Sequence, residues 1–313
     1  MTLPVAALTG GTGFLGRYIA QAFAAAGWRI RLLTRSAPVH PMLDPLPLDL
    51  VLGTLNDSRS LARLVAGADV VIHAAGLVKA RSRAEFLAVN RDGAARVAAI
   101  VAQAPQSPRL VMISSLAARA PALSLYAESK RAGEEAARDL LDAGRCIILR
   151  PSAIYGPWDL EGLAMRRLAA GPFAPAIAAP EPRIAMIHAR DAAAAVIAVA
   201  TAAAAQGCYD MSDARQDGYG WRELLAVIGA SLGRTPRPVT VPDAVLLAAG
   251  AVGDGVAALS GQPAIFGRGK VREILQRDWR IDPALRIPPD IWQPRIDLAA
   301  GMRETAAWWL SAA

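Results

Sequence analysis

Tyr126 and Lys130 are the pair of side chains in this sequence best suited to acid–base chemistry. They stand four residues apart in the segment YAESK, and residues with that spacing share one face of a helix. An ammonium group beside a phenol stabilises the phenolate, so we expect the pKa of Tyr126 to fall from its ~10 reference towards neutrality. Ser114 and Ser115 directly follow a predicted strand, from whose end a hydroxyl reaches the same site.

A second pattern offers backbone groups rather than side chains. Gly11-x-Gly13-x-x-Gly16, with Gly10 beside it, follows an apolar run and opens a helical pattern. The missing side chains let the backbone approach a pyrophosphate, towards which the helix directs its positive end. This strand–turn–helix context indicates a dinucleotide site, whereas the bare spacing would also fit a tight turn.

The end of the second predicted strand bears on the choice of cofactor. Folds that prefer NAD place an acid there for the ribose 2′-hydroxyl, but this chain has Thr34-Arg35-Ser36 and no acid before Asp44. Arg35, helped by Ser36, is suited to the 2′-phosphate of NADP. The alternative is a solvated arginine, since arginine is common throughout this chain.

Strands and helices that alternate along the first two thirds of the chain must position these groups. Short apolar strands are predicted at 5–8, 29–34, 48–52, 70–72, 110–113, 147–149 and 208–210. Helices are predicted at 15–26, 61–66, 90–103, 126–141 and 191–205. Such alternation predicts an α/β fold with a doubly wound parallel sheet. We expect a Rossmann domain at 1–160, completed by 184–212, and a smaller, mostly helical substrate lobe at 161–183 and 213–313.

The motifs, taken in order, resemble the extended short-chain dehydrogenase/reductase family, within the NAD-dependent epimerase/dehydratase superfamily. The sequences of these motifs are most similar to those of the hydroxysteroid dehydrogenase and dihydroflavonol reductase-like members. The segments that carry the resemblance are Thr9–Gly16, Gly53–Asp57, His73–Gly76, Val89–Gly93, Ser114–Ser115, Tyr126–Lys130, Leu149–Pro157 and Ile187–Asp191.

The resemblance implies a catalytic triad of Ser115, Tyr126 and Lys130. It also implies contacts along the cofactor from pyrophosphate and adenosine to nicotinamide. The implied cofactor-binding residues are Gly10, Gly11, Thr12, Gly13, Phe14, Leu15, Gly16, Arg35, Ser36, Thr54, Leu55, Ala74, Ala75, Gly76, Tyr126, Lys130, Pro151, Ser152, Ala153 and Ile154. Two positions depart from the family: Thr54 replaces an aspartate that contacts adenine, and Ala153 replaces an asparagine of nucleotide-sugar members.

The resemblance therefore favours an NADP(H)-dependent oxidoreductase, with NAD possible, that interconverts a carbonyl and an alcohol on a mainly apolar molecule. Trp158 and the apolar run 244–259 would supply apolar surface. A nucleotide-sugar epimerase or dehydratase uses the same triad and is the alternative. A non-catalytic dinucleotide-binding sensor or assembly subunit is a second alternative.

Three polar residues near these motifs are expected to interact with groups close to them. His73 and His188 are expected to end strands and hydrogen-bond nearby. Asn90 either holds a structural water or caps a helix.

The amino-acid composition limits the classes of partner and ligand that we expect for this protein. The 313 residues are 54% apolar, and their formal charge of +7 comes from dispersed arginines with 5% aromatics, so no nucleic-acid partner is expected. Two cysteines and three distant histidines predict no metal site. The run 244–259, interrupted by Asp254 and three glycines, is shorter than the ~20 residues of a membrane span. We expect a cytoplasmic protein without a membrane span. The family resemblance allows a homodimer in which helices 90–103 and 126–141 pair between subunits.

Overall fold

The N-terminal half alternates strands and helices as predicted. A computed structural model describes residues 3–264 and 266–311. Its first elements are β1 (Val5–Thr9), α1 (Phe14–Ala25), β2 (Arg29–Thr34), β3 (Leu48–Leu52), α2 (Ser58–Val65), β4 (Val70–His73), α3 (Arg83–Asn90), α4 (Asp92–Gln103), β5 (Arg109–Ile113), α5 (Leu125–Arg138) and β6 (Cys146–Pro151). Two 3₁₀ turns, Leu116–Arg119 and Pro121–Leu123, join β5 to α5.

Shorter strands and further helices follow. They are β7 (Ala153–Tyr155), α6 (Leu163–Ala170), β8 (Phe173–Ile177), β9 (Arg183–Ile184), β10 (Met186–His188), α7 (Ala189–Thr201), β11 (Cys208–Met211), β12 (Tyr219–Gly220), α8 (Trp221–Ser231), β13 (Arg237–Val241), α9 (Asp243–Ser260), α10 (Arg268–Leu275), β14 (Asp278–Trp279), a 3₁₀ turn (Pro283–Leu285) and α11 (Leu298–Ser311).

The central sheet has seven parallel strands in the order β11-β6-β5-β4-β1-β2-β3. The chain builds outwards from β1 to β3, then returns to β4 and builds in the other direction. The carboxyl ends of β1 and β4 therefore form the switch point at which ligands bind in such sheets. This topology confirms the predicted Rossmann fold.

Apolar side chains cover both faces of the sheet, as parallel strands require. On one face, α1 and α7 contribute Ile19, Phe23 and Val196 to a buried cluster. On the other face, residues of α2 and α4 such as Leu61 and Val97 form a second cluster. Both helical layers thus fix the strand ends that carry the polar motifs.

A third apolar cluster lies beyond the sheet and joins α8 and α11 to β7, α6 and β8. Three small sheets, β7 with β10, β9 with β12 and β14, and β8 with β13, connect this region. These short strands are more numerous than the sequence indicated. The division at 1–160 with 184–212, against 161–183 with 213–313, stays a prediction.

The helices expected at 126–141 and 191–205 end earlier, at Arg138 and Thr201. Two other predicted helical segments also differ in the structure. The helix expected at 90–103 begins at Asp92, because Asn90 ends a separate helix, α3. The run 244–259 is not broken: it lies within α9, a continuous helix of 18 residues of which Gly250 alone is buried. Glycine costs about 1 kcal/mol in a helix and is tolerated there. By length and composition α9 is sufficient to cross a membrane, which corrects the expectation that this run is too short and interrupted.

Candidate active site

The glycine loop between β1 and α1 is shaped by two close approaches of backbone to backbone. Gly10 has a φ of +73°, and a Cβ atom there would lie 2.4 Å from the amide nitrogen of Ala75. A Cβ on Gly16 would lie 2.0 Å from the carbonyl oxygen of Gly10. Gly13 is the N-cap of α1 and provides no capping side chain. The first backbone N–H groups of α1 are therefore available to an anion.

Tyr126, Ser115 and Lys130 come together where β5 ends and α5 begins. Ser115 caps the 3₁₀ turn at 116–119 by accepting a hydrogen bond from the backbone of Ala117, and its hydroxyl is close enough to Tyr126 to act on the pKa of that phenol. Lys130 is buried, and its Nζ donates a hydrogen bond of 2.7 Å to the carbonyl oxygen of Ile113. The fold thus brings the predicted triad together.

The titration of Tyr126 differs from the expectation. Burial raises the pKa of Tyr126 to about 12, although the hydrogen bond from Ser115 acts to lower it. Burial also lowers the pKa of Lys130 to about 8, against the opposing effect of Glu134. The expected fall in the pKa of Tyr126 was wrong, because desolvation outweighs the lowering effect of Ser115. At neutral pH Tyr126 holds its proton.

Ser114, the other serine after β5, has its hydroxyl bound to a carboxylate. Its hydroxyl donates a 2.5 Å hydrogen bond to Glu134, which is fully buried on α5 one turn after Lys130. Glu134 also accepts two hydrogen bonds from Arg150, at 2.8 and 2.5 Å. These contacts join α5 to the ends of β5 and β6, the two strands beside the triad.

A cavity of about 1920 Å³ extends from the glycine loop past the triad to the C-terminal helices. This exceeds the roughly 300–1,000 Å³ of a pocket for one small ligand, so it has room for a dinucleotide and a second molecule. The predicted residues that line it are Gly10, Gly13, Phe14, Leu15, Gly16, Ala74, Gly76, Ser115, Tyr126, Lys130, Pro151, Ser152, Ala153 and Ile154. Trp158 also lines it, as expected.

Seven predicted cofactor residues lie outside this cavity: Gly11, Thr12, Arg35, Ser36, Thr54, Leu55 and Ala75. Leu55 packs into the apolar cluster between the sheet and α4. Arg35 and Ser36 are exposed at the carboxyl end of β2, beside the end of β1. Cofactor contacts by these seven residues remain predictions.

The cavity fits a dinucleotide by its polar groups as well as its volume. Among the described residues, the Arg17 Nε and the Ser152 Oγ are buried without a hydrogen-bond partner, and both residues line the cavity. Arg17 stands one residue beyond the glycine loop, and Ser152 lies beside the end of β6. Buried polar atoms of this kind require a partner, which a bound pyrophosphate or nicotinamide amide supplies.

Each of the residues His73, His188 and Asn90 has a hydrogen-bond partner in the structure. His73 Nδ1 lies 2.8 Å from the Thr9 hydroxyl, and His188 Nδ1 accepts from the backbone of Arg190 at the start of α7. Burial lowers the pKa of His73 to about 3 and that of His188 to about 4. Asn90 binds the backbone of Leu77 through both amide atoms, so it holds the loop after β4 and does not cap a helix.

Sequence reasoning missed several cavity residues, among them Arg17 and Asp159. Arg17 was hidden because it follows the glycine motif without being part of it. Asp159 is buried, and burial raises the pKa of its carboxyl group to about 6. The signal for Asp159 was its place next to Trp158, but nothing in the sequence indicated that it would be buried.

Comparison with known proteins decides the family. A sequence model described as the NAD-dependent epimerase/dehydratase family matches residues 6–211, which include the glycine loop and the triad. The chain belongs to this family. It is an NAD(P)-dependent oxidoreductase of the extended short-chain dehydrogenase/reductase superfamily, which confirms the resemblance seen in the motifs.

Individual relatives agree with this assignment. A ceramide reductase of Caulobacter vibrioides is 43% identical over 309 residues, which are 98% of this chain and 95% of that protein. A putative dihydroflavonol 4-reductase of Synechocystis is 29% identical over 174 residues, covering 49% of this chain and 50% of that protein. The structure of the Bordetella bronchiseptica enzyme WbmG in complex with NAD and UDP has a TM-score of 0.73 at 17% identity, covering all of this chain and 96% of that chain. At that identity the likeness shows the fold alone.

Proposed function

We propose that this enzyme uses NADPH to reduce a ketone on a long-chain, ceramide-like lipid. The observation that carries the proposal is the lining of the cavity, which includes Ser115 and Tyr126 together with exposed apolar side chains. Val78, Leu125 and Leu160 line the cavity and are each exposed, so they form part of its rim. The relationship to a ceramide reductase along 98% of the chain supports the same substrate class.

The chain's own residues provide the proton and its stabilisation. When bound, NADPH supplies the hydride that the carbonyl carbon accepts. Tyr126, whose pKa of about 12 keeps it protonated, donates its hydroxyl proton to the carbonyl oxygen. Ser115 donates a hydrogen bond to that oxygen as its charge develops. Lys130, held by the Ile113 carbonyl, stabilises the phenolate that remains.

Gly10, Gly13 and Gly16 would hold the pyrophosphate together with Arg17. Residues from Pro151 to Ile154 would lie beside the nicotinamide, where Ser152 has its unpartnered hydroxyl. Ala153 is exposed to the cavity and has no amide for a sugar diphosphate. This favours an apolar substrate over a nucleotide sugar.

A substrate comparison tests the proposal. NADPH consumption is measured with the ketone form of a ceramide and with a steroid ketone, and conversion of UDP-glucose is followed by analysis of the sugar product, each across a salt series. We expect turnover with the ceramide ketone and weak salt dependence, because apolar area dominates its binding. Salt-sensitive conversion of UDP-glucose without turnover of the lipid ketone would instead establish the epimerase alternative.

Arg35 supports the preference for NADPH, because it is exposed at the carboxyl end of β2, next to the strand that enters the glycine loop. In Arg35→Asp we expect the ratio of NADPH to NADH affinity to fall about 10- to 100-fold, as hydrogen bonds to a charged group contribute about 1.5–3 kcal/mol. Arg234→Asp makes the same charge change on an exposed arginine after α8 and should leave the ratio unchanged. Titration of cofactor fluorescence measures both. An unchanged ratio in Arg35→Asp would remove the 2′-phosphate role.

A further inference from the structure

The helix α9 presents an uninterrupted apolar stripe to solvent. We define the exposed stripe as seven of the exposed residues of α9, which follow three- and four-residue spacing: Val245, Ala248, Ala249, Val252, Gly255, Val256 and Leu259. Val252 is 67% exposed and Leu259 is 92% exposed. A helix on a globular protein normally turns its apolar stripe towards the core, so this orientation requires a partner.

The opposite side of α9 is committed to the protein. A Cβ on Gly253 would lie 2.0 Å from the carbonyl oxygen of Phe266, so the helix is seated tightly on the segment before α10. Asp254 lies on this side and pairs with Arg268 of α10 at 3.5 Å. These contacts hold the helix against the lobe, and the exposed stripe is therefore a fixed surface of the folded chain.

The same helix forms part of the active-site cavity. Asp254, Ala257 and Ala258 line the cavity, whereas no residue of the exposed stripe does. One helix thus has one side in the cavity and an adjacent side in solvent. The exposed stripe therefore lies beside the part of α9 that lines the cavity.

The net charge of the segment that contains α9 and α10 favours binding to an anionic surface. Between residues 234 and 277 there are six cationic side chains and three carboxylates, a surplus of three positive charges. Each carboxylate is paired with a cation: Asp243 with Arg277, Asp254 with Arg268, and Glu273 with Lys270. Basic residues that flank an apolar helical face are typical of helices that lie in the interface of a membrane.

We propose that α9 docks the enzyme onto a phospholipid bilayer with anionic headgroups, and that the lipid substrate passes from the bilayer into the cavity beside this helix. The delivery of substrate rests on the proposed function, whereas the docking does not. The helix lies in the plane of the interface, because its packed side holds it to the lobe. Its length of 18 residues, about 27 Å, allows the whole stripe to contact lipid at once.

Vesicle binding tests the proposal with the purified full chain. Sedimentation is measured with vesicles of phosphatidylcholine and with vesicles of phosphatidylcholine and phosphatidylglycerol. We expect the protein to bind the anionic vesicles more tightly. The double variant Val252→Glu/Leu259→Glu should weaken that binding at least about tenfold, because two exposed aliphatic side chains no longer enter the lipid. Glutamate is a good helix former, and circular dichroism checks that the fold is retained.

The control, Leu3→Glu/Leu310→Glu, adds the same charge at two apolar residues that are 62% and 64% exposed and lie outside α9. It should bind vesicles as the unmodified protein does. Failure of the unmodified protein to bind either vesicle, or equal loss in both double variants, would overturn the proposal. So would a concentration-dependent dimer that Val252→Glu/Leu259→Glu abolishes without any vesicle binding, since a second copy would then cover the stripe.

Enzyme assays separate this proposal from the proposed function. Val252→Glu/Leu259→Glu should reduce a short-chain, water-soluble ketone at the unmodified rate and lose turnover of a ketone embedded in vesicles. Vesicle binding without reduction of any lipid ketone would refute the proposed function and leave the docking surface supported. Reduction of embedded and soluble ketones at unchanged rates by the double variant would refute substrate delivery through α9.

Discussion

Tyr126→Phe is expected to lower kcat by about 10²–10⁴-fold, the usual contribution of a positioned general acid, while the fold and cofactor binding survive. The substitution removes one hydroxyl and almost no volume from a half-buried ring that packs beside Phe86. Loss of the Tyr126 hydroxyl leaves Ser115 as a hydrogen-bond donor to the substrate, but an aliphatic hydroxyl is a much weaker acid than a phenol. The reduction then has no efficient proton donor.

Single-turnover reduction of the lipid ketone measures the chemical step, and thermal unfolding measures the fold. Tyr209→Phe is the matched control, because Tyr209 lies on β11 outside the cavity and its hydroxyl accepts a hydrogen bond from the backbone of Gln206. It should keep near-normal activity. If Tyr126→Phe also retains near-normal activity, the proton comes from another group. The first candidate is then the buried carboxyl group of Asp159.

Local patterns in the sequence predict much of this fold and site. Each parallel strand is short, apolar and bounded by turns, so β1, β2 and β4 were recognisable without knowledge of their neighbours. The glycine loop and the pair Tyr126 and Lys130 were equally recognisable, since a turn and a helical spacing are local features. That the glycine loop lies close to Tyr126 and Lys130 followed from the rule that the carboxyl ends of parallel strands lie at one edge of the sheet.

Properties that depend on distant parts of the chain were not predictable. The pKa of Tyr126 rises because other segments desolvate it, and no local spacing contains that information. The exposure of α9 was missed for a similar reason, because apolar helical residues are usually core. Nothing in the sequence distinguishes Glu134 from Glu135, which follows it. Only the fold shows that Glu134 is buried against Arg150 and that Glu135 faces solvent.

Glu134→Leu is expected to lower the free energy of unfolding by about 3–5 kcal/mol, a large part of the 5–15 kcal/mol of a typical domain. Glu134 is fully buried, and its hydrogen bonds raise the pKa of the Arg150 guanidinium. Without the carboxylate, a guanidinium group whose side chain is 7% exposed remains charged and unpaired in the interior. The loss is therefore mainly the cost of that stranded charge.

Urea unfolding followed by circular dichroism measures this loss, and neighbouring residues supply the controls. Glu135→Leu removes an exposed carboxylate that pairs with Arg131 one turn earlier, and it should change stability by less than about 0.5 kcal/mol. The double variant Glu134→Leu/Arg150→Leu removes both charges and should recover most of the loss, because apolar replacements for a buried ion pair are often neutral. If the double variant is as unstable as Glu134→Leu, the stranded guanidinium is not the cause. The stability would then depend on the packing of α5 against β5 and β6, including the hydrogen bond from Ser114.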